Sequence, residues 1–414
     1  MMVVESILRE AWGFRTFYEG GTRAGFLYDP PIMDSAAGPV YEYDGRPITN
    51  FSGINFLNWH QDPDMLVHFF DNSLRYGLAS GAGFWGSRMT QGISRPHAQL
   101  EDLVCQLTGK ERGLTFASGL LANIGFVQAM SSALRLDSHC RIDNRDACFV
   151  LDRDSHWSLW KAVQHLPYGK QVFSFRHNDV GHLRQVLNKL PSRKAVVIVE
   201  SVYSSDGSVG PLPEILDVCH EYGVLSFVDD ANGFLVYGPE NRPFAAEFAR
   251  LSDATFIMTS FSKAVGLEGG ILLGPRDVLM AFELLSGTSM FTAAIQPPTA
   301  ATIHRIIRLL HDNPSIMDEY LLRVAAFRER LLEGGYRLNS TPSYITSIMI
   351  GADTKAVAIR EAFLAANMNV PVFRYPAVKP NQALMRVILN RSHSDAQIDT
   401  FFETLEHIRS RVNF

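Results

Sequence analysis

The chain has few cysteines, no long apolar run and no excess of positive charge, and each absence excludes a class of protein. Its four cysteines, Cys105, Cys140, Cys148 and Cys219, show neither CxxC spacing nor a Cys/His metal pattern, so we expect reduced thiols and no metal site. No apolar run reaches the roughly 18 residues of a transmembrane helix, and the N-terminus lacks the order of a signal peptide. The net charge of -5 argues against a nucleic-acid binder. We therefore expect a cytoplasmic protein with no membrane span.

The centre of the chain alternates short, continuous apolar runs with amphipathic stretches. The runs cover residues 147–151, 195–199, 224–228 and 255–258, and residues 269–274 resemble one further strand. Strands that are apolar on both faces and separated by helices are typical of a mainly parallel sheet covered on both sides. We therefore predict an α/β fold, with the large core that 414 residues and a 46% hydrophobic content allow.

Changes in this pattern divide the chain into three predicted parts. The N-terminal segment, residues 1–54, contains an amphipathic stretch at 5–18 that is compatible with a short helix, and an Asp-Gly hairpin at 40–46. A large domain spans residues 55–300. Long helices, two strands and a final helix then predict a smaller α+β domain over residues 301–414.

The small domain has local signals for its elements. Strands are expected near residues 344–350 and 385–389, and Ser394 with Gln397 forms a capping-box pattern at the start of the last helix. Apolar residues recur at helical spacing after this box and predict a buried stripe.

Three of the predicted strands are followed by polar residues. Glu200 follows the strand at 195–199 and begins a stretch that includes Ser204, Asp229 follows the strand at 224–228, and Ser260 and Lys263 follow the strand at 255–258. In parallel sheets, ligands bind beyond the carboxyl ends of the strands. An acid after one strand and a lysine after a later one suit pyridoxal phosphate, whose aldehyde the lysine holds and whose ring nitrogen the acid keeps protonated. The alternatives are a lysine that reaches solvent from a strand end and an aspartate that caps a helix.

A candidate phosphate site lies upstream. Residues 116–123 place Ser118 and Gly119 at the start of a predicted helix, where free backbone N–H groups and the helix dipole favour an anion. By itself a Ser-Gly pair in this position is also an ordinary helix cap.

A series of short motifs runs in order along most of the chain. They are Asp44-Gly45-Arg46, Asn55-Phe56-Leu57, Tyr76-Gly77, Gly86-Ser87-Arg88 with Gly92, His97 with Leu100-Glu101, Ser118-Gly119 with Ala122-Asn123, Asp152 with His156, His177-Asn178-Asp179, and Ser262-Lys263-Ala264 with Gly266. Each of these short motifs is common enough to occur by chance, but their shared order along the chain is specific. From about residue 40 to its end the chain resembles the α-oxoamine synthase family. The resemblance implies a fold type I pyridoxal-phosphate transferase, with a mainly parallel seven-stranded sheet flanked by helices.

The resemblance also implies roles for single residues. Lys263 matches the Schiff-base lysine, Asp229 the partner of the pyridinium nitrogen, and His156 the histidine that stacks on the ring. Arg386 matches the arginine that binds the substrate carboxylate, and Asn55 a residue that lines the amino-acid site. The further cofactor-binding positions that it implies are Ser118, Gly119, Leu120, Ser204, Asn232, Ser260 and Thr292. Thr292 would reach the phosphate of the neighbouring subunit, which implies a homodimer with a shared active site.

Some of these matches have structural alternatives, and the chain departs from the family in two places. His156 beside Trp157 is also compatible with a core histidine, and Arg386 with an exposed strand residue. Asn232 stands where the family has a histidine that donates a hydrogen bond to the phenolic oxygen of the cofactor; an amide still donates but does not titrate near neutral pH. The segment 83–86 is bulkier than the usual Gly/Ser-rich version and is expected to shape a substrate pocket.

The implied reaction is the condensation of an amino acid with an acyl thioester of CoA or of a carrier protein, with loss of carbon dioxide, to give an α-aminoketone. Another pyridoxal-phosphate reaction on the same fold, such as transamination or retro-Claisen or retro-aldol cleavage, remains an alternative. A non-catalytic member that serves as a scaffold is a third hypothesis.

Overall fold

Helices and strands alternate along the chain in a computed structural model that describes residues 11–27, 29–30, 32–77, 88–293 and 295–414. The helices, in chain order, are α1 (Phe14–Arg23), α2 (Pro63–Tyr76), α3 (Arg88–Gln91), α4 (Arg95–Thr108), α5 (Gly119–Met130), α6 (Trp157–Val163), α7 (Val180–Leu187), α8 (Leu212–Tyr222), α9 (Ala245–Phe248), α10 (Arg276–Leu285), α11 (Gly287–Met290), α12 (Pro297–Asp312), α13 (Ser315–Glu333), α14 (Asp353–Ala365) and α15 (Asp395–Val412). The strands are β1 (Val40–Tyr43), β2 (Arg46–Asn50), β3 (Arg112–Phe116), β4 (Ala133–Arg135), β5 (Arg141–Asp143), β6 (Cys148–Asp152), β7 (Val172–Phe175), β8 (Ala195–Glu200), β9 (Leu225–Asp229), β10 (Phe256–Ser260), β11 (Gly270–Gly274), β12 (Thr346–Gly351), β13 (Met368–Asn369), β14 (Val372–Phe373) and β15 (Ala383–Val387).

Seven strands form one large sheet in the order β3-β11-β10-β9-β8-β6-β7. The strands from β10 to β7 run parallel to their neighbours, whereas β11 runs antiparallel to both β10 and β3. The predicted α/β fold with a mainly parallel seven-stranded sheet is therefore confirmed. The five central strand predictions each agree with the observed strands to within two residues.

The continuous apolar runs reflect helical layers on both faces of this sheet. In β8 every residue is buried. Val196 and Ile198 join a core with α5, α6 and α10, whereas Val197 and Val199 join a second core with α4, α8 and α12. Because successive residues of a strand point to opposite faces, a strand between two helical layers is apolar at every position.

The N-terminal hairpin is attached to the C-terminal third of the chain. Strands β1 and β2 pair through a turn in which Asp44 and Gly45 both have positive φ, at 52° and 69°, as the favoured two-residue hairpin turns require. Strand β2 also pairs in parallel with β13. The division into three parts stays a prediction. Residues 1–10, which include part of the predicted N-terminal helix, and the segment 83–86 lie outside the described residues.

The C-terminal third contains a three-stranded antiparallel sheet in the order β12-β15-β14, with α14 and α15 beside it. The predicted capping box is present: Ser394 Oγ accepts from the Gln397 N–H at 3.2 Å, and Gln397 Oε1 accepts from the Ser394 N–H at 2.8 Å. The stripe of α15 that the core buries is Phe401, Phe402, Leu405 and Ile408. None of the helices in the described ranges is long and apolar enough to cross a membrane.

Substitution of Gly270 tests how closely β11 approaches the start of α5. A Cβ at this position would lie 2.7 Å from the backbone nitrogen of Gly119, which cannot move without shifting the helix. We expect Gly270→Ala to lower the free energy of unfolding by about 1–3 kcal/mol, measured by urea unfolding followed by circular dichroism. Gly181→Ala is the control, because its Cβ would meet nothing closer than 3.4 Å within helix α7. Equal stability of the two variants would contradict the close approach.

Candidate active site

The ends of three adjacent strands bring the predicted site residues to one edge of the sheet. Strand β9 lies between β8 and β10, and all three run parallel. Their register places Asp229 beside Glu200 on one side and beside Met258, two residues before Ser260, on the other. The polar residues that follow these strands therefore meet, as the carboxyl ends of parallel strands do.

Lys263 is half-buried and lies near one cationic group, Arg386, and two acids, Asp229 and Glu200. Burial lowers the pKa of its ammonium group to about 8, and the nearby guanidinium of Arg386 adds to this effect, whereas Asp229 and Glu200 oppose it. A substantial fraction of the amine is therefore neutral near pH 8. Only the neutral form has the lone pair that an aldehyde requires.

Asp229 is a buried carboxyl group at the end of β9, with 4% of its surface exposed. Burial raises its pKa to about 6, against the opposing effects of the Ala231 N–H, the Asn123 amide and the charge of Lys263. Asn123 Nδ2 donates to Asp229 Oδ2 at 3.2 Å. A carboxylate in this position is therefore oriented by hydrogen bonds, and none of the ion pairs among the described residues includes it.

A chain of hydrogen bonds connects Asp229 to His156. The same Asn123 Nδ2 donates to Ser158 Oγ at 3.0 Å, and Ser158 Oγ lies 2.7 Å from His156 Nδ1. The Ser158 N–H also donates to His156 Nδ1 at 3.2 Å. Because Nδ1 accepts, the proton of the neutral imidazole lies on Nε2. Asn123 appears in the family pattern, but the sequence assigned no role to it or to Ser158.

The imidazole of His156 stays neutral at pH 7, although the residue is exposed. The protein around the ring lowers its pKa, and the positive charges of Lys263 and Arg386 lower it further. His156 therefore presents an Nε2–H donor and has no strong tendency to become cationic.

Two further acids are buried beside Asp229. Burial and the neighbouring charge of Asp229 raise the pKa of Glu200, which accepts hydrogen bonds from the backbone N–H groups of His156 and Ser204. Burial raises the pKa of Asp230 to about 8, and Ser201 Oγ donates to its Oδ1 at 2.5 Å. Glu200 thus holds the backbone of the residue that is predicted to stack on the cofactor.

The predicted phosphate cup is assembled by strands β3, β11 and β10. Ser118 caps α5 by accepting from the Leu121 N–H at 3.2 Å, and it bridges to Gly269. A Cβ on Gly119 would lie 3.4 Å from the Cβ of Ser260, so the helix start and the end of β10 are in contact. Ser260 Oγ lies 2.8 Å from Ser262 Oγ, and Leu120 is exposed at the first turn of α5.

Arg386 reaches the same edge from strand β15 of the C-terminal sheet. Its Nη1 donates to the Ser204 carbonyl at 2.8 Å, and its guanidinium lies 4.6 Å from the ring centroid of Phe373. Its Nε is buried and has no hydrogen-bond partner among the described residues. Burial lowers the pKa of Arg386, so this cation is placed where an anion would stabilise it.

The remaining predicted residues are Asn55, Asn232 and Thr292, and the structure places each of them differently. Asn55 Nδ2 donates to the Ala37 carbonyl at 3.1 Å, and the Asn55 Cβ lies next to Gly266. Asn232 is buried and follows Asp229 by three residues. Thr292 lines a separate small cleft with His97, Thr115 and Ala117, which is adjacent in sequence to Ser118.

Another motif of the family pattern has a structural role here. Asp152, at the end of β6, accepts from the Asn178 N–H at 2.8 Å and lies 3.0 Å from His177 Nδ1. Burial disfavours the charged imidazole, but the hydrogen bond and charge of Asp152 outweigh it and raise the pKa of His177. This pair connects the carboxyl ends of β6 and β7.

The chain matches known proteins over most of its length. A family model described as aminotransferase class I and II matches residues 86–405. An 8-amino-7-oxononanoate synthase of Methylorubrum extorquens is 30% identical over 375 residues, which cover 90% of this chain and 89% of that protein. The structure of Sphingomonas wittichii serine palmitoyltransferase matches with a TM-score of 0.84 at 26% identity, covering 98% of this chain and 99% of that chain. The chain belongs to the aminotransferase class I and II family, as an α-oxoamine synthase.

A further solved structure bears on the cofactor. The serine palmitoyltransferase of S. paucimobilis with bound PLP-myriocin matches with a TM-score of 0.82 at 26% identity, covering 97% of this chain and 98% of that chain. Four predictions are therefore confirmed: the family, the fold type, pyridoxal phosphate as cofactor, and an acyltransferase that condenses an amino acid with an acyl thioester.

The site of this α-oxoamine synthase also fits pyridoxal phosphate on its own geometry. Lys263 offers an amine with a lowered pKa, Asp229 a buried carboxyl group suited to a cationic ring nitrogen, and Arg386 a cation whose Nε has no hydrogen-bond partner in the described part of the chain. Gly119 has no side chain, so the backbone N–H groups at the start of α5 are not covered where the helix meets the end of β10. The roles of the single residues stay predictions.

Asp230 makes the stability of the cofactor-free protein depend on pH. Its pKa rises from 3.8 to about 8 on folding, so between these values the folded state binds more protons than the unfolded chain. The contribution of Asp230 to the free energy of unfolding therefore falls as the pH rises from about 4 to about 8, and that of Asp229 falls up to about pH 6. We expect Asp230→Asn to flatten this dependence in urea unfolding at several pH values.

The exposed Glu240 provides the control for this measurement. Glu240→Gln should reproduce the pH dependence of the unchanged protein. Parallel curves for Asp230→Asn and the unchanged protein would show that Asp230 does not carry the effect.

Proposed function

We propose that Lys263, Asp229, His156 and Arg386 carry out the condensation of a small amino acid with an acyl thioester. The observation that supports this proposal is the position of Lys263, whose amine has a pKa of about 8 and lies within the fields of both Asp229 and Arg386. One side of the site thus suits the ring nitrogen of the cofactor, and the other suits the carboxylate of an amino acid.

The cofactor and the protein divide the chemistry. When bound, pyridoxal phosphate supplies an aldehyde that amines attack and a protonated ring that accepts electron density from the α-carbon of the amino acid. Burial disfavours the carboxylate form of Asp229, and a cation beside it stabilises that form. The carboxylate and the protonated ring nitrogen therefore stabilise each other, and Asp229 keeps the nitrogen protonated. Asn123 holds the orientation of this carboxylate through its 3.2 Å hydrogen bond.

Lys263 first holds the aldehyde and then moves a proton. With the substrate amine at the aldehyde in its place, the Nζ of Lys263 would be free to take the α-proton, and its lowered pKa would keep a substantial fraction in the neutral, basic form. The α-carbon then attacks the acyl carbonyl and the thiol leaves. Loss of carbon dioxide and return of a proton to the same carbon complete the α-aminoketone.

Arg386 and His156 position the amino acid. The Nε of Arg386, which bonds to no described residue, gives a substrate carboxylate a buried donor of opposite charge. His156 covers the cofactor ring and presents Nε2–H, because its Nδ1 accepts from Ser158. Asn55, which contacts Gly266 three residues after Lys263, is proposed to line the amino-acid side of the site.

The remaining assignments concern the phosphate and the assembly. We assign the phosphate to Ser118, Gly119, Leu120 and Ser260, with Ser204 close by through its contacts to Glu200 and Arg386. We also propose a homodimer in which Thr292, next to the 82% exposed Phe291, reaches the phosphate of the neighbouring subunit. CoA or a carrier protein would present the acyl group, and a cytoplasmic location stays a prediction from the sequence.

Release of a thiol tests the reaction. We expect purified protein with pyridoxal phosphate to release free thiol only when both an amino acid and an acyl thioester are present, in a matrix of glycine, alanine and serine against acyl-CoA chains. Lys263→Ala should lower the rate by at least about 10³-fold, since it removes both the aldehyde-binding amine and the base. Lys189→Ala, at an exposed position, should retain the full rate. Turnover by Lys263→Ala would contradict the proposed mechanism, and amine-form cofactor produced by amino acid alone would indicate transamination.

Arg386→Lys tests the carboxylate site. Lysine keeps the charge but loses the planar donor pair, so the KM for the amino acid should rise by about 10-fold to 100-fold while the KM for the acyl thioester stays the same. Steady-state kinetics with each substrate varied separately measure this difference. Arg337→Lys, an exposed change in the same third of the chain, is the control. Equal effects on both KM values would place Arg386 outside the amino-acid site.

A further inference from the structure

The amide of Asn232 is held by two buried partners. Its Nδ2 donates to the Val202 carbonyl at 3.1 Å, and its Oδ1 accepts from the hydroxyl of Tyr344 at 3.1 Å. Asn232 and Tyr344 are 6% and 1% exposed, so neither bond competes with bulk water. Losing either partner would leave a buried polar group without a hydrogen bond.

These partners determine which way the amide faces. The Val202 carbonyl only accepts, so the atom beside it is the nitrogen, and the oxygen lies at the tyrosine hydroxyl. An amide nitrogen has two hydrogens, and Val202 takes one. The second hydrogen remains for a ligand at the end of β9, where Asp229 lies three residues earlier.

Tyr344 is itself fixed by contacts with the large sheet domain. Its backbone N–H donates to Tyr237 Oη at 2.9 Å, and the neighbouring Ser343 Oγ donates to the Gly207 carbonyl at 2.6 Å. Its ring lies 4.7 Å from that of Phe56. The tyrosine therefore extends from the segment before β12 into the site and has little freedom to move its hydroxyl.

We propose that Tyr344 is a positioning residue that orients the Asn232 amide so that an N–H, and not the carbonyl, faces the phenolic oxygen of bound pyridoxal phosphate. The proposal rests on the proposed function and on the cofactor contact that the family resemblance implies for Asn232. It adds a reason why an asparagine serves at this position: an unheld amide could turn its oxygen towards a negatively charged oxygen, and the tyrosine hydroxyl opposes that rotation. Tyr344 does not need to contact the cofactor itself.

The absorbance of the lysine-bound cofactor reports this hydrogen bond. Its visible band changes as the Schiff-base nitrogen loses its proton, and the unprotonated form carries more negative charge on the phenolic oxygen. A donor at that oxygen stabilises the unprotonated form, so removing the donor raises the pH midpoint of the spectral change. A charge-assisted hydrogen bond corresponds to a shift of about one pH unit.

Spectral titration of the holoenzyme, without substrates, tests the proposal. We expect Asn232→Ala to raise the midpoint by about one pH unit, and Tyr344→Phe by a smaller, measurable amount, since Val202 still holds the amide nitrogen. In the Asn232→Ala background, Tyr344→Phe should add no further shift, because it acts through Asn232. Tyr320→Phe is the matched control: this buried hydroxyl donates to the Leu389 carbonyl at 3.0 Å and makes no hydrogen bond to Asn232.

The results distinguish the positioning role of Tyr344 from the cofactor contact of Asn232 and from the proposed reaction. An unchanged midpoint in Tyr344→Phe, or an equal shift in both backgrounds, would overturn the positioning role of Tyr344 and leave the reaction intact. An unchanged midpoint in Asn232→Ala would overturn the cofactor contact of Asn232 as well. A shift of equal size in Tyr320→Phe would indicate a general loosening of the aromatic cluster and would also overturn the proposal. Where Asn232→Ala does not fold, Asn232→Asp keeps the shape and removes the N–H donor.

Discussion

The parallel pairing of β8, β9 and β10 is the constraint on which the active site depends. It aligns three strand ends that are separated by about thirty residues in sequence, and the register places Glu200 beside Asp229 and Asp229 beside Met258. The strands are buried on both faces, so the polar groups concentrate at their ends, where helical layers no longer cover the sheet. The position of Lys263 follows from this alignment, since it lies three residues after the end of β10.

The electrostatics of the site follow from the burial of charges that the protein alone does not fully pair. Burial raises the pKa values of Glu200, Asp229 and Asp230, whereas it lowers those of Lys263 and Arg386. Such groups are costly in the absence of partners of opposite charge. A ligand that brings a cationic ring nitrogen to Asp229 and a carboxylate to Arg386 offsets both costs, so the same burial that weakens the empty protein favours the loaded one.

The C-terminal third supplies residues to the proposed active site. Arg386 bonds to the Ser204 carbonyl, Tyr344 to the Asn232 amide, and Ser343 to the Gly207 carbonyl, and each bond joins this third to the loops that follow strands β8 and β9. The hairpin of β1 and β2 is in turn tied to β13. The residues proposed to orient the cofactor and to bind the amino acid are therefore held by contacts between segments far apart in sequence.

The sequence by itself predicted the fold class, five of the seven strands of the large sheet, and the candidates Lys263 and Asp229, because apolar runs and the polar residues that follow them are local properties. Arg386 became a candidate only through the family resemblance. Only the tertiary structure identified the groups that orient those candidates. Asn123 reaches Asp229 across 106 positions, and Tyr344 reaches Asn232 across 112. Neither residue differs locally from an ordinary helix or core residue. The partner of a buried polar group is decided by which strands are neighbours, and this depends on the packing of the whole sheet rather than on any segment of it.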